Sequence, residues 1–594
     1  MSASADRRPM SRFSCRRTRA RGLPLVVGAV VLAGGSLGAP LGLPVGSAYA
    51  SANQESSLQD DQLLIYNSPE GTARTLDTLK GLGVDRVRVS VLWRLVAPDP
   101  LSRTRPAGFR AADPAAYPPG SWDRYDQVVT LARARGIAVN FNITAPAPFW
   151  ATGHPSRADI ENTYTPSSAE FGQFVQAVGT RYSGAYRTDT SPAPADAPPP
   201  APSCTPGPLG IGGSCPSPPS SPPTGSRTPA RPPALPRVDY WSLWNEPNQA
   251  GWLTPQWVPG PHGHGWAESS PGLYRGLIDA AYLALGRSGH AADTILIGET
   301  APKGLRVAGP TRSMKLLRFV RRLYCLDDRY RPLRASAATT RGCPARPGAA
   351  FAREHPVLFA ATGWAHHPYE LSLAPNQVPP DPDFVTIANL PRLERVLDRA
   401  LSSYHRGRPG GMPLFLTEFG FQTNPPNPAG VSLSQQAAFL NQSEYIAFRD
   451  RRVRALSQFL LQDDRPLPGR NGVTKGYGAT FQTGLQFLGG RAKPSLAAYR
   501  MPIFLPHPRV HRGGRLAVWG MLRVGPGGPR PVAIQVAAPR DRGRFHTVNT
   551  ITTNARGYLT STLRLWSSAR VRLAWTDPAS GRVTISRVVD ATAV

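Results

Sequence analysis

Between about residues 60 and 500, short apolar runs alternate with amphipathic stretches, and this rhythm constrains the fold more than any other feature of the chain. Each run must be buried in a sheet, and each amphipathic stretch must cover it as a helix. Eight runs are predicted as strands: Leu63–Asn67, Arg86–Trp93, Ile137–Thr144, Val238–Asn245, Thr294–Gly298, Gly363–Tyr369, Leu414–Glu418 and Ala455–Leu461. Helical stretches fall between them, at Asp123–Arg135, Ala169–Tyr182, Tyr274–Leu285, Ser313–Tyr324, Leu390–His405 and Ser434–Arg449. Eight such units predict an α/β fold, an enlarged (β/α)8 TIM barrel. A doubly wound sheet is the alternative, but no glycine-rich phosphate loop follows the first strand.

The domain organisation expected is a leader at 1–50, a barrel at 51–504 and a β domain at 505–594. Residues 184–236 are crowded with Pro, Ser, Gly and Ala, which cannot build a core, and they read as a surface insertion in the barrel. A second irregular insertion is expected over 325–350. Beyond 505 the runs Leu516–Leu522, Pro531–Ala537, Val548–Thr552 and Val571–Trp575 alternate between turn residues, as in a small β-sandwich. Its Trp519, Trp566 and Trp575 are expected in the core rather than as sugar platforms.

The first 50 residues read as an export signal: a basic stretch from Cys15 to Arg21, an apolar run Leu23–Leu32, and the small-x-small sequence Ala48-Tyr49-Ala50. A secreted, extracellular protein is expected, with a possible cell-wall association; an uncleaved anchor is the rival reading. No later segment is long and apolar enough to span a bilayer. The formal charge is +30; seven Arg and one Asp lie within 1–50, so about +24 remains beyond them. Only five of the 68 basic residues are lysines, and the arginines are dispersed rather than grouped on one face. That pattern argues against nucleic-acid binding, while leaving an electrostatic preference for anionic polymer open. Cys204, Cys215, Cys325 and Cys343 suggest two local disulfides, Cys204–Cys215 and Cys325–Cys343, among three pairings. No cysteine or histidine spacing resembles a metal site, and no cofactor is expected.

Two strands end in glutamate. Trp241-Ser242-Leu243-Trp244-Asn245-Glu246-Pro247 stops strand pairing where the carboxylate emerges, at the rim of a barrel where strand ends converge. Alone, Glu246 would read as a surface ion pair or a helix cap. Leu414-Phe415-Leu416-Thr417-Glu418-Phe419 reverses that reading, because strands four and seven lie on roughly opposite sides of a closed barrel. Facing carboxylates suit glycoside cleavage, in which one protonates the leaving oxygen and the other stabilises or attacks the anomeric carbon. Adjacent like charges are also expected to keep Glu246 protonated beside ionised Glu418. Arg88, inside a Val-rich strand, needs a buried partner. His366 and His367 should face opposite ways by strand alternation. Glu299, Asp463 and Asp464 have site and structural readings of equal weight. Of Phe149, Trp150, Trp252, Trp257 and Trp266, in loops near the mouth, one or two are expected to bind sugar faces, with Trp150 and Trp252 the candidates.

These motifs resemble clan A of the glycoside hydrolases, in a layout similar to family 39 and to family 5 of secreted bacterial enzymes. The resemblance spans about residues 60–500 and implies Glu246 as acid/base and Glu418 as nucleophile. It further implies Asn245 as the ligand of the sugar 2-hydroxyl, Arg88 of Arg86-Val87-Arg88-Val89-Ser90 as the residue orienting the nucleophile, and His367 and Tyr369 as its strand-six neighbours. The sequence departs from the clan at strand three, Asn140-Phe141-Asn142, and at strand eight, where Phe459 stands in a segment lacking the usual Trp. The function expected is a retaining β-glycoside hydrolase acting on an oligo- or polysaccharide, working as a monomer without metal. A non-catalytic carbohydrate-binding or cell-wall protein, and a transglycosylase using the same carboxylates, are the alternatives.

Overall fold

The computed structural model describes residues 51–188, 233–371, 373–468, 475–477, 480–541 and 543–594. Eight strands close into a barrel: β1 Glu55–Gln59, β2 Arg86–Leu92, β3 Ala138–Thr144, β4 Tyr240–Leu243, β5 Thr294–Thr300, β6 Gly363–His366, β7 Leu414–Phe419 and β8 Val453–Phe459. Every neighbouring pair is parallel, and β8 pairs with β1 to complete the ring. Helices such as Asp123–Ala134, Ser168–Arg181, Ser270–Arg287, Pro391–Ser402 and Leu433–Arg449 return the chain between strands. The α/β barrel expected from the alternation is therefore the fold observed.

The first strand is a correction. Leu63–Asn67, predicted as β1, instead follows it: Asp61–Leu64 is a short helix capped by Asp60, and β1 is the less apolar Glu55–Gln59. Its Ser56, Ser57 and Gln59 are buried even so, because they face a polar barrel interior or its packed wall. A hydrophobicity scan passes over such a strand. The helix Pro69–Gly81 follows.

The barrel interior is layered. At the floor, Tyr240, Leu296, Ala365, Phe415 and Ala455 form an apolar cluster, with Arg86 lying over the Tyr240 ring and paired to Glu55 at 2.9 Å. One layer up, toward the strands' C-terminal ends, the interior turns polar and charged. Two β-bulges build that change. In β5, Ile297 pairs with Trp364 and Thr300 with His366, so one extra residue is inserted. Gly298 takes φ +102° there, and a Cβ would meet the Trp364 ring at 2.5 Å, so only glycine fits. In β7, Leu416 pairs with Leu456 and Phe419 with Gln458, again one residue in excess. Bulges re-aim side chains next to functional sites, and these two turn Glu299 and Glu418 toward the barrel axis.

The insertion expected at 184–236 falls mostly on residues 189–232, which, with Cys204 and Cys215, lie outside the described residues; its two ends are joined by a bridge between Arg187 and Ala234. In the second irregular segment Cys325 and Cys343 are disulfide-bonded. The leader at 1–50 also lies outside the described residues, and no helix among those described is long and apolar enough to cross a membrane.

Past the barrel, two sheets share one apolar core. One comprises Ile503–Phe504, Gly514–Met521 and Tyr558–Leu565; the other comprises Arg509–Val510, Val589–Ala593, Ala569–Thr576, Pro531–Ala537 and His546–Thr552, with Val583–Ile585 on its Ala569–Thr576 strand. Trp519 and Trp575 are buried, as expected, but Trp566 is not: it is 68% exposed, its ring lying on Gly513 at a strand end. The β region meets the barrel through Phe448, Trp519, Met521 and Tyr558, and through a buried ion pair between Glu444 and Arg523 at 3.0 Å.

Candidate active site

The site is assembled from the ends of β1, β2, β4, β5, β6 and β7, and Arg88 is its hub. The residue sits mid-strand between outward-facing Val87 and Val89 and is fully buried. Its Nη1 donates to Gln59 Oε1 and to Glu418 Oε1, the latter at 2.7 Å. Its Nη2 donates to Asn245 Oδ1 at 2.8 Å and to Glu299 Oε2 at 2.9 Å. One guanidinium thus ties together the side chains of four strands in a fixed planar fork, as arginine's geometry favours.

His367 is the second cation. Its Nδ1 lies 2.9 Å from Glu246 Oε1 and 3.6 Å from Glu418 Oε2, while Nε2 lies 2.7 Å from Glu299 Oε2. Burial works against charging this ring, but Glu418, Glu246 and Glu299 together raise its pKa to about 10. It is therefore an imidazolium at neutral pH, donating through both nitrogens. His366 faces the other way, its Nδ1 beside the Thr300 hydroxyl and carbonyl and its Nε2 beside the Val385 carbonyl, and burial drops it to about 3. The alternation expected from the sequence is what separates the two.

Glu299 lies beneath the pair. Its Oε2 accepts from Arg88, His367 and Thr417 Oγ1, the last at 2.7 Å. Burial would hold its proton on, yet Arg88 and His367 outweigh that and bring it down to about 2. Glu418 receives Arg88 on one oxygen and the Tyr369 hydroxyl on the other, at 3.2 Å. Burial pushes its carboxyl above the usual range, with His367 and Arg88 pulling the opposite way. Glu418 thus carries the opposing pulls of burial and of two cations.

Glu246 is delivered by a strained turn. Trp244 and Glu246 both have positive φ, 69° and 37°, outside the comfortable range for such side chains. The turn is held by the Glu246 amide donating to the Glu299 carbonyl at 2.8 Å and by the Asn245 amide donating to Thr144 Oγ1 at 2.9 Å. A carboxylate oxygen of Glu246, one of Glu418 and a ring nitrogen of His367 all lie within 4.8 Å of one another. Two carboxylates and a histidine at that spacing could hold a cation by distance alone.

Above these groups opens a cavity of about 410 Å³ lined by Asn245, Glu246, Trp252, Tyr369 and Glu418. The structure thus brings together Arg88, Asn245, Glu246, His367, Tyr369, Glu418 and Trp252. It does not bring Trp150 to them: that ring packs edge-on against Trp93 and Phe109, and its indole N–H donates to the Pro98 carbonyl. Asp463 is paired to buried Lys493 at 2.6 Å, away from the carboxylates. Phe459 does line the cavity, where it meets Phe481 at 5.0 Å, edge to face, and Tyr369 at 6.2 Å. Phe481, Gln59, Asp61 and Tyr66 also line it, and the sequence reading did not select them. Once β1 is placed at Glu55–Gln59, the run Gln59-Asp60-Asp61-Gln62 falls at a strand's C-terminal end, which is the signal that would have found two of them, Gln59 and Asp61. A larger cavity of about 840 Å³ is lined by segments leading into β1, β7 and β8, the wrong end of the strands for a barrel's chemistry.

No family model matches the chain, and no curated protein does. Solved structures with which it aligns are glycoside hydrolases. A GH5_18 structure from Streptomyces cattleya in complex with GlcNAc is 14% identical, with 76% of this chain and 79% of that one covered and a TM-score of 0.39. The family 1 β-glucosidase from Thermotoga maritima is 11% identical, with 74% and 93% covered and a TM-score of 0.40. The β-glucuronidase 2 of Bacteroides uniformis, covalently bound to cyclophellitol-6-carboxylate aziridine, is 8% identical at a TM-score of 0.37; the alignment takes in 91% of this chain but 46% of that one.

Proposed function

We propose that the protein is a retaining β-glycoside hydrolase, with Glu418 as nucleophile and Glu246 as acid/base. The observation that carries this reading is the approach of their carboxylate oxygens within 4.8 Å at the mouth of the barrel. That closest approach is in keeping with the ~5–5.5 Å carboxyl separation of retaining enzymes, against ~6.5–9.5 Å in inverting ones. In the first step Glu418 attacks the anomeric carbon as Glu246 delivers its proton to the departing oxygen. In the second, Glu246 takes a proton from water, which attacks the same carbon and releases Glu418.

Arg88 and the Tyr369 hydroxyl supply donors to Glu418, which favours its ionised form against burial. Asn245, fixed by Arg88 through Oδ1, stands beside Glu246 at the cavity wall to bind a sugar hydroxyl. His367 joins acid/base and nucleophile to buried Glu299 and holds Glu246 in register. Trp252 is the aromatic surface on the leaving-group side. We further infer export from the cell, directed by residues 1–50, and a carbohydrate polymer as partner.

The test is hydrolysis of 4-nitrophenyl β-glycosides by the purified protein, with the anomer released followed by proton NMR. Retention of configuration is expected, with Glu418→Gln inactive. Release of the inverted anomer, or full activity in Glu418→Gln, would overturn the assignment.

A further inference from the structure

On the side of β1 and β8 a second groove of about 520 Å³ adjoins the cavity at the carboxylates, and Gln62 and Tyr66 line both. Tyr66 stands at the junction 45% exposed, with the Arg124 guanidinium 5.3 Å from its ring centroid. A large aromatic ring left open to solvent between two adjoining cavities is unusual for a side chain that could have been buried, and flat rings suit the apolar faces of sugars.

The direction of the groove follows from the chemistry proposed above, on which this inference rests. Glu246 protonates the leaving oxygen, so the departing part of the substrate lies on the β4 side, near Trp252. Strands β1 and β8 lie across the ring from β4. Whatever occupies the groove beyond Tyr66 is therefore attached to the sugar that Glu418 attacks, on its non-leaving side.

The lining also sets the charge of the occupant. Among the described residues no Lys or Arg lines the site cavity, where Asp61, Glu246 and Glu418 are the ionisable acids. Among the described residues of the groove, Asp60 and Asp464 face Arg465 alone, Asp463 being paired to Lys493. Asp60 accepts from the Leu63, Leu461 and Gln462 amides, and Asp464 accepts from the Phe481 amide at 2.9 Å, so these carboxylates have reason to stay there without a ligand. An anionic sugar would meet them as like charges, whereas neutral hydroxyls meet acceptors.

We propose that this groove is a second sugar subsite, with Tyr66 as its platform, and that it takes a neutral sugar of a continuing chain. The enzyme would then cut a neutral oligosaccharide at least two sugars from its non-reducing end, despite the strong positive charge of the molecule as a whole.

The experiment compares 4-nitrophenyl β-glucoside with β-cellobioside, β-xyloside with β-xylobioside, and β-mannoside with β-mannobioside, with 4-nitrophenyl β-glucuronide alongside. For the pair that is cleaved, kcat/KM is expected to be at least about tenfold higher for the disaccharide, and Tyr66→Ala to narrow that ratio toward one. Equal rates on mono- and disaccharide, or a ratio that Tyr66→Ala leaves unchanged in a protein with normal thermal unfolding, would overturn the subsite. A higher kcat/KM on the same disaccharide carrying a uronic acid as its non-reducing sugar would overturn its neutral character. These failures leave the glycosidase reading standing, whereas cleavage of none of the glycosides defeats both.

Discussion

Two buried Arg–Glu pairs hold this molecule together at different places, and they are built on opposite principles. At the barrel mouth Arg88 faces Glu418 at 2.7 Å and Glu299 at 2.9 Å, with His367 as a second cation among three carboxylates. At the seam with the β region Arg523 meets Glu444 alone, surrounded by Tyr499, the Tyr499 carbonyl and Ser56. The mouth drives one carboxylate, Glu299, down to about 2, whereas burial at the seam pushes Glu444 up to about 7 despite its arginine. The first network spends its cations to keep charge in a dry place; the second tolerates its loss. Both border cavities, Glu444 and Arg523 a small one against β7 and β8, but only the first opens into the site cavity, through Glu418, and a buried, electrostatically perturbed carboxylate in such a cavity is a candidate to react.

The comparison breaks most visibly at the two arginines. Arg88→Met leaves Glu299 and Glu418 buried without their shared cation, and a loss of about 3–5 kcal/mol in unfolding free energy is expected, with all glycosidase activity. Arg523→Met leaves one carboxylate that is already prone to protonation, so a smaller loss, about 1–3 kcal/mol, is expected with activity largely kept. Urea denaturation of both variants decides it, and equal losses would erase the distinction. Next in size is Glu418→Gln, which removes the attacking oxygen but keeps a hydrogen-bonding amide: activity on any cleaved aryl glycoside falls on the order of 10³-fold or more, while the denaturation midpoint holds or rises. Glu299→Gln is milder. It takes from His367 one of the carboxylates that raise it, so the imidazolium is lost at lower pH. A ten- to hundredfold drop is expected in roughly this range of transition-state effects, with the alkaline limb of the kcat/KM profile moved down in pH. A merely structural role for Glu299 would lower activity without moving the limb.

Much of this was legible before any coordinates, and the reason is periodicity. Strands β2 to β8 are apolar on their outward faces, so alternation located them, and Asn245-Glu246-Pro247 and Thr417-Glu418 marked strand ends by chemistry as well as position. Arg88 could be singled out because a charge among valines demands a partner. What escaped has one physical origin, the departure from regular alternation. Glu299 was a candidate of even weight, but its place in the interior depends on the Gly298 bulge, because a period-two reading turns it outward. Strand β1, Glu-Ser-Ser-Leu-Gln, buries polar groups against polar groups, so hydropathy missed it and, with it, the Asp61 and Tyr66 side of the mouth. Trp150 and Trp566 show the converse limit. Sequence marks an aromatic ring but not whether the loop beneath it turns the ring inward, and the first is packed where a sugar surface was expected while the second is exposed where a core was.

The last expected effect sharpens the comparison through its sign. Glu299 is lowered from 4.5 to about 2 in the folded protein, so its stabilisation is present above the unfolded value and is lost only as pH falls toward 2. Glu444 is raised from 4.5 to about 7, so its contribution is complete below 4.5 and disappears as pH rises through 7. Between pH 4.5 and 7 the folded state binds a proton at the seam that the unfolded chain has released, and stability from this group declines as pH rises. Glutamine at 444 has no proton to bind, so Glu444→Gln should become more stable relative to the unmutated protein across that window, by on the order of 3 kcal/mol. Urea denaturation at pH 4.5 and pH 7.5 reads the difference directly. A gap that stays constant with pH would mean that Arg523 keeps Glu444 ionised throughout, and that the seam holds its charge as the mouth does.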